Sequence, residues 1–272
     1  MSKKKKAFLI FIVLVIILVC IFLGLKAREK NKIVITQIAG EGSGYILTTI
    51  DNNIVIIDGG NSDNAERLKE IISKHDNLVT AWIITSPEEE KMGAFAEIIK
   101  ENNSNIRINN ILHNLSLVDE DYDILNIEDN KIAKIKDDIN SLLLSNYRDS
   151  LVEMGKRSVY QFDNFYITPL EIANWESSNI EDKRTILKID NTFKNILLLN
   201  DINEENSNNF IENNKDMFDC EAVMFYGNEA SELKIMQYVK PKIIFTSNKQ
   251  NYENSKFDII TKEDGEITKE VW

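Results

Sequence analysis

Residues 54–60 read IVIIDGG, and the fold turns on how this stretch is read. Four apolar, β-branched residues run into an aspartate and two glycines, the pattern of a buried strand that stops at a sharp turn. Working outward, VITQI (34–38) and YILTT (45–49) are two more β-rich runs, separated by Gly-rich and Asn-rich turns. They predict three consecutive strands. Downstream, SDNAERLKEIISKH (62–75) carries Ala65, Leu68, Ile71 and Ile72 at helical spacing behind Ser62 and Asp63, so an amphipathic helix is expected. Residues 79–85 predict a strand, 94–99 a second helix and 106–112 a further strand. The first half is therefore β-β-β-α-β-α-β.

After an acidic, turn-rich region (116–129) and a helical pattern (132–144), the order starts again. SVYQF (158–162), FYITPLEI (165–172), TILKI (185–189) and NILLLND (195–201) are strand-like. Ile202, Phe210 and Ile211 have helical spacing, and AVMFY (222–226) and KIIFTS (242–247) bracket a helix around 233–239. Two similar halves imply two sheets packed face to face with helices outside, an α/β arrangement that buries the apolar faces of both.

The chain has 272 residues, 43% of them hydrophobic, which suits one domain plus an appendage. The appendage is MSKKKK followed by an unbroken apolar run over residues 7–25, the length of a membrane-spanning helix. No small-residue cleavage site follows, so the run reads as an uncleaved signal anchor. The organisation expected is a basic cytoplasmic tail (1–6), the membrane segment (7–25), a basic juxtamembrane linker (26–32) and a domain over 33–272. The short charged amino terminus favours the cytoplasm, which puts the domain outside the cell membrane. The net charge of −12 comes from the part after residue 33, since the first 32 residues are basic, and so acidic a domain repels phosphate backbones. Nucleic acid is not an expected partner. With Cys20 in the membrane run and Cys220 in the domain, no disulfide can form within the domain.

The order IAGEGSGYIL, IVIIDGG, helix, AWIITSPEEEKMGAF, then NILLLNDI and AVMFYG resembles the metallo-β-lactamase fold. It is most similar to the branch represented by the carboxy-terminal domain of the competence protein ComEC, over about residues 33–250. The resemblance implies a four-layer αββα sandwich, here preceded by one transmembrane helix, and in most members a hydrolase with one or two metal ions in the loops at one edge. The family loop His-x-His-x-Asp-His falls on Ser86, Glu88, Glu90 and Lys91. The early Gly-x-Gly-Asp falls on Gly40-Glu41-Gly42-Ser43, so Ser43 stands where the acidic residue would be. Asp58 is kept, as is Asp201, although Asn200 replaces the usual glycine. The later His-His-Gly corresponds to Tyr226-Gly227-Asn228. The only two histidines in the chain, His75 and His113, fall at none of these positions.

A dinuclear zinc centre needs several imidazoles, which this chain does not supply. Lys91, an ammonium with no lone pair, argues further against metal. The expected state is a protein without cofactor and without catalytic residues: a pseudoenzyme that binds an unknown protein or small molecule, or acts as a scaffold. Ser86-Pro87-Glu88-Glu89 then reads as a helix start, with Ser86 as N-cap, Pro87 at the first helical position and Glu89 completing a capping box. Lys91 is expected to take the vacated metal position and pair with Asp201, Asp58 or Glu90. The alternative keeps a metal: Asp58, Glu88, Glu90 and Asp201 are hard oxygen donors able to hold Mg²⁺, Mn²⁺ or Ca²⁺ in a divergent phosphodiesterase-like hydrolase.

Other readings are weaker. GEGSG (40–44) joins two strands with no helix after it, so it is a turn and not a phosphate cradle. Ser43 has no local base to act as a nucleophile. Glu88 and Glu90 on one helical turn do not flank a glycosidic bond. His75 is expected to cap the end of the first helix, and His113 to be a packed or surface residue.

Overall fold

The computed structural model describes residues 3–30, 32–40, 42–101, 105–115, 142–172, 185–191, 194–199, 210–214, 220–225, 235–236, 238–246, 258–261 and 265–271. It begins with one long helix, α1 (Lys3–Lys30), whose window Ile10–Ala27 is apolar and long enough to cross a membrane. None of the described residues of the domain covers that window.

The first sheet is built from β1 (Ile33–Gln37), β2 (Gly44–Thr48) and β3 (Ile54–Asp58), which pair antiparallel in sequence order. A helical turn at Ser62–Asn64 and α2 (Ala65–Ser73) follow. The chain then forms β4 (Leu78–Val79) and β5 (Ala81–Ile83), and α3 (Glu89–Lys100) leads on to β6 (Arg107–Ile108) and β7 (Ile111–His113). β8 (Leu151–Glu153) adds to β7, and β3, β5, β7 and β8 run parallel.

The second sheet repeats the plan. β9 (Tyr160–Phe162), β10 (Phe165–Glu171), β11 (Ile186–Asp190) and β12 (Asn195–Leu199) pair antiparallel. β13 (Cys220–Phe225), β14 (Ile243–Thr246) and β15 (Asp258–Thr261) continue it in parallel. The last strand, β16 (Ile267–Val271), returns to the first sheet and pairs antiparallel with β1, Ile33 opposite Val271.

Alternation along each strand sorts side chains between layers. On β3, Val55 and Ile57 face the second sheet and pack with Phe165, Ile167, Leu187, Ile196 and Met224. Ile54 and Ile56 face the other way, beneath Leu68 and Ile72 of α2 and Phe95 of α3. Every residue of β3 is buried, as a strand covered on both faces must be. Trp82 and Phe95 meet edge to face at 5.0 Å and close the helix-side core. A third cluster, with Leu197, Val223, Phe210, Ile235 and Val239, lies on the outer face of the second sheet. The layers are helix, sheet, sheet, helix, as expected.

Some local expectations are corrected. The run 79–85 is two strands, because Asn110 Nδ2 donates to the Thr80 carbonyl at 3.0 Å and the chain bends there, sending β4 to pair with β6 in a small separate sheet. A second bend, at Asn109, divides 106–112 into β6 and β7. His75 does not cap α2, which ends at Ser73; its Nδ1 donates to the Asn52 carbonyl at 2.8 Å and ties the helix to the β2–β3 turn.

Candidate functional site

Three loops meet at one pole of the first sheet: 40–44 before β2, 58–61 after β3 and 84–91 after β5. Asp58 ends β3 in the left-handed region (φ 61), a conformation that aspartate tolerates better than a β-branched residue. Its carboxylate, 1% exposed, accepts the Thr85 backbone N–H on Oδ1 and the Thr85 hydroxyl on Oδ2, both at 2.7 Å. Its own carbonyl accepts the Trp82 indole N–H at 2.5 Å. Asp58 is thus a clamp holding the end of β3 to the end of β5. Thr85, its partner, stands at the strand-to-loop junction that, with IVIIDGG, is the most specific part of the family resemblance.

Backbone bonds knit the loops further. Ser43 N–H donates to the Glu90 carbonyl at 2.6 Å, and the Ser43 carbonyl accepts Gly60 N–H at 3.0 Å. Gly60 in turn accepts Ala94 N–H at 3.1 Å, so α3 is joined to the glycine turn. The approach at Gly42 (φ 83) is so close that a Cβ there would lie 2.4 Å from the Glu90 carbonyl oxygen and 2.5 Å from Asn61 N. That contact explains the second glycine of GEGSG.

The start of α3 differs from expectation. Ser86 is buried and is not the N-cap; its hydroxyl accepts Glu88 N–H at 3.2 Å, which holds a short extended segment. Glu88 is the N-cap residue and the helix begins at Glu89. The reason is the clamp: Thr85 is pinned to Asp58, so the chain must travel further before it can coil. Glu89 does not close a capping box either, since its Oε1 accepts Ser62 N–H at 3.1 Å and secures the turn before α2. Glu90 is exposed.

Lys91 is 8% exposed, and its Nζ lies 2.8 Å from Glu88 Oε2. The expected partners were Asp58, Glu90 or Asp201. Asp58 is instead engaged by Thr85, and Glu90 is exposed. Asp201 and Tyr226 lie outside the described residues. The strands leading to them, β12 and β13, end in register with Leu199 beside Phe225. Phe225 belongs to the same pole, because its carbonyl accepts the Tyr45 hydroxyl at 3.4 Å. Gln37 reaches from β1 to the Thr246 carbonyl at 3.5 Å, while its own Oε1 is buried without a hydrogen-bond partner.

His113 ends β7, one strand over from Thr85, and is 6% exposed. Its Nδ1 accepts Leu115 N–H at 3.2 Å, which defines the neutral ring with the proton on Nε2. Burial pushes its pKa below the ordinary histidine value, against the pull of Glu153 opposite it on β8.

No sequence-family profile matches this chain, and no curated protein matches it. Among solved structures, it superposes on the metallo-β-lactamase fold protein YhfI from Bacillus subtilis with a TM-score of 0.55 at 10% identity, covering 88% of this chain and 100% of that one. The chain has the metallo-β-lactamase fold. Lesser overlaps occur with Zn²⁺-bound PqqB from Methylobacterium extorquens (TM-score 0.43, 10% identity, 72% of this chain and 73% of that one). The CmlA β-hydroxylase E377D mutant gives a TM-score of 0.47 at 11% identity, with 78% of this chain and 45% of that one covered.

Within this metallo-β-lactamase fold, the described residues at the motif positions do not fit zinc. Ser86 offers a hydroxyl already engaged by backbone, Lys91 offers an ammonium with no lone pair, and none of the described motif positions is a histidine. Among the described residues, no three His, Cys, Asp or Glu side chains gather as a metal site would require.

Proposed function

We propose that this chain is a membrane-anchored metallo-β-lactamase-fold protein of the ComEC-like branch that binds a protein or small molecule at the cell surface without catalysing hydrolysis. The carrying observation is the Lys91–Glu88 ion pair, which joins two positions that the family resemblance marks as metal ligands. A protonated lysine beside such a site supplies the positive charge that a metal otherwise brings, and it does so without a vacant coordination position for water. In this reading, α1 crosses the membrane with its amino terminus in the cytoplasm, and residues 33–272 form the external domain.

The test is metal content. The full chain, purified in detergent without chelator, is incubated with Zn²⁺, Mn²⁺, Mg²⁺ and Ca²⁺ in turn. It is assayed by elemental mass spectrometry after desalting and by thermal melting with each ion present. No bound metal and no shift in melting is the expected result. Near-stoichiometric metal that disappears in Asp201→Ala would overturn the proposal. It would move the function to the carboxylate-only hydrolase built on Asp58, Glu88, Glu90 and Asp201.

A further inference from the structure

The strand registers give the domain two poles, and α1 joins one of them. β1 starts at Ile33, with two residues of sequence between it and the end of α1 at Lys30, and pairs there with Val271 and near Thr48. The β9–β10 turn lies at the same pole: Asp163 Oδ2 accepts the Thr49 hydroxyl at 2.8 Å and Asn53 Nδ2 at 2.7 Å. Asn164 Nδ2 donates to the Lys32 carbonyl at 2.9 Å, and Lys32 pairs with Glu270. The join between helix and domain is therefore short and tied down on two sides. Gln37, Ser43, Asp58 and Thr85 all lie at the far ends of β1, β2, β3 and β5. Five residues at about 3.3 Å each separate the two poles by roughly 16 Å.

The pole at the join exposes apolar side chains. Ile50, at the tip of the β2–β3 turn, is 48% exposed. The turn is held rigid, with Asn52 N–H donating to Thr49 O, Asn53 N–H to the Thr49 hydroxyl and His75 Nδ1 to Asn52 O. Tyr238, 54% exposed, lies five residues before β14, whose first residue Ile243 is placed at this pole by its alignment through Ala222 and the starts of β13 and β12 with the β11–β12 turn. In sequence, Lys26, Arg28, Lys30 and Lys32 make the stretch from the end of the apolar window of α1 to the start of β1 basic. An exposed aliphatic residue, a tyrosine and a basic stretch of sequence next to a membrane-entry point match the apolar and headgroup layers of an anionic bilayer.

We infer that this pole rests on the anionic bilayer that α1 enters, with Ile50 in the headgroup layer, so that the candidate site faces away into the aqueous compartment. The ligand of that site then arrives from solution and not from the membrane. The inference rests on the proposed reading of α1 as a membrane anchor.

The test uses the full chain with Cys20→Ala, in which Cys220 is buried and escapes labelling. Ile50→Cys and, separately, the exposed Glu90→Cys are labelled with an environment-sensitive fluorophore. Each is reconstituted into vesicles of mixed phosphatidylcholine and phosphatidylglycerol, with and without a headgroup nitroxide lipid. Circular dichroism confirms that both variants fold as the parent does. The label at 50 is expected to lose most of its emission to the nitroxide, and the label at 90 to lose none. Quenching at 90, or at neither position in protein that floats with the vesicles, overturns the inference and leaves the anchor intact. Protein that fails to float overturns the anchor and the inference together.

Discussion

Asp58 carries more of the site's structure than any charged neighbour, because two donors of Thr85 depend on it and neither can reach water. Asp58→Ala should cost about 2–4 kcal/mol in urea unfolding of the full chain in detergent, followed by the emission of buried tryptophan. Asp58→Asn keeps the shape and one acceptor and should cost less. Equal losses would mean that shape alone contributes nothing and that both carboxylate acceptors are required. Lys91 has a buried stem, but Glu88 is part-exposed, so Lys91→Ala should cost about 1–3 kcal/mol, below the value for a fully buried pair. A variant melting like the parent would remove the ion pair from the account of this site. His113 is neutral and buried, with a folded-state pKa below its ordinary value. On acidification the unfolded chain takes up the proton first, so stability is fully present above about pH 6.5 and falls as the pH drops below it. His113→Gln, which can still accept from Leu115, should flatten that part of the pH–stability curve, measured as the difference between parent and variant from pH 7.5 to 5.

At the scale of elements, the stretch 84–93 shows how tertiary contacts override a local signal. Ser86-Pro87-Glu88-Glu89 is a good helix start on local chemistry, yet α3 begins at Glu89 because Thr85 is held by Asp58 and Ser86 by Glu88. The loop before β2 is equally constrained. Gly42→Ala would force a Cβ into backbone atoms of two other loops while holding a left-handed φ, so a loss of about 3 kcal/mol or more is expected. Thermal melting checks it, and a loss under about 1 kcal/mol would mean the loops can separate cheaply. The α2 pattern was legible throughout: Ala65, Leu68, Ile71 and Ile72 are the residues that face the core. The bend at Thr80 was not, since it comes from an asparagine thirty positions away.

At the scale of the whole molecule, β16 closes the first sheet from the other end of the chain. It was not expected as a strand, because ITKEV has no apolar run and only Val271 is fully buried. What holds it is the five-residue register with β1 and the paired bonds from Arg67 to Glu266, at 2.9 and 2.8 Å. Truncation after residue 264 should lower the melting temperature and expose β1 as an unpaired edge, seen as concentration-dependent aggregation by light scattering. An unchanged, monodisperse protein would show that β16 is dispensable.

The sequence by itself determined the layered plan, through apolar strands of the right length and a helix pattern after β3 that repeated in two halves. By resemblance it also marked Asp58, Ser86, Glu88 and Lys91 as the positions to inspect. Local periodicity suffices for that, because a buried face needs apolar side chains wherever its partner comes from. Only the tertiary structure decided that Asp58 clamps Thr85, that Lys91 meets Glu88, that Glu90 is exposed and that the candidate site lies at the pole opposite α1. Those outcomes depend on strand register and on hydrogen bonds between residues far apart in the chain, and no local pattern encodes either.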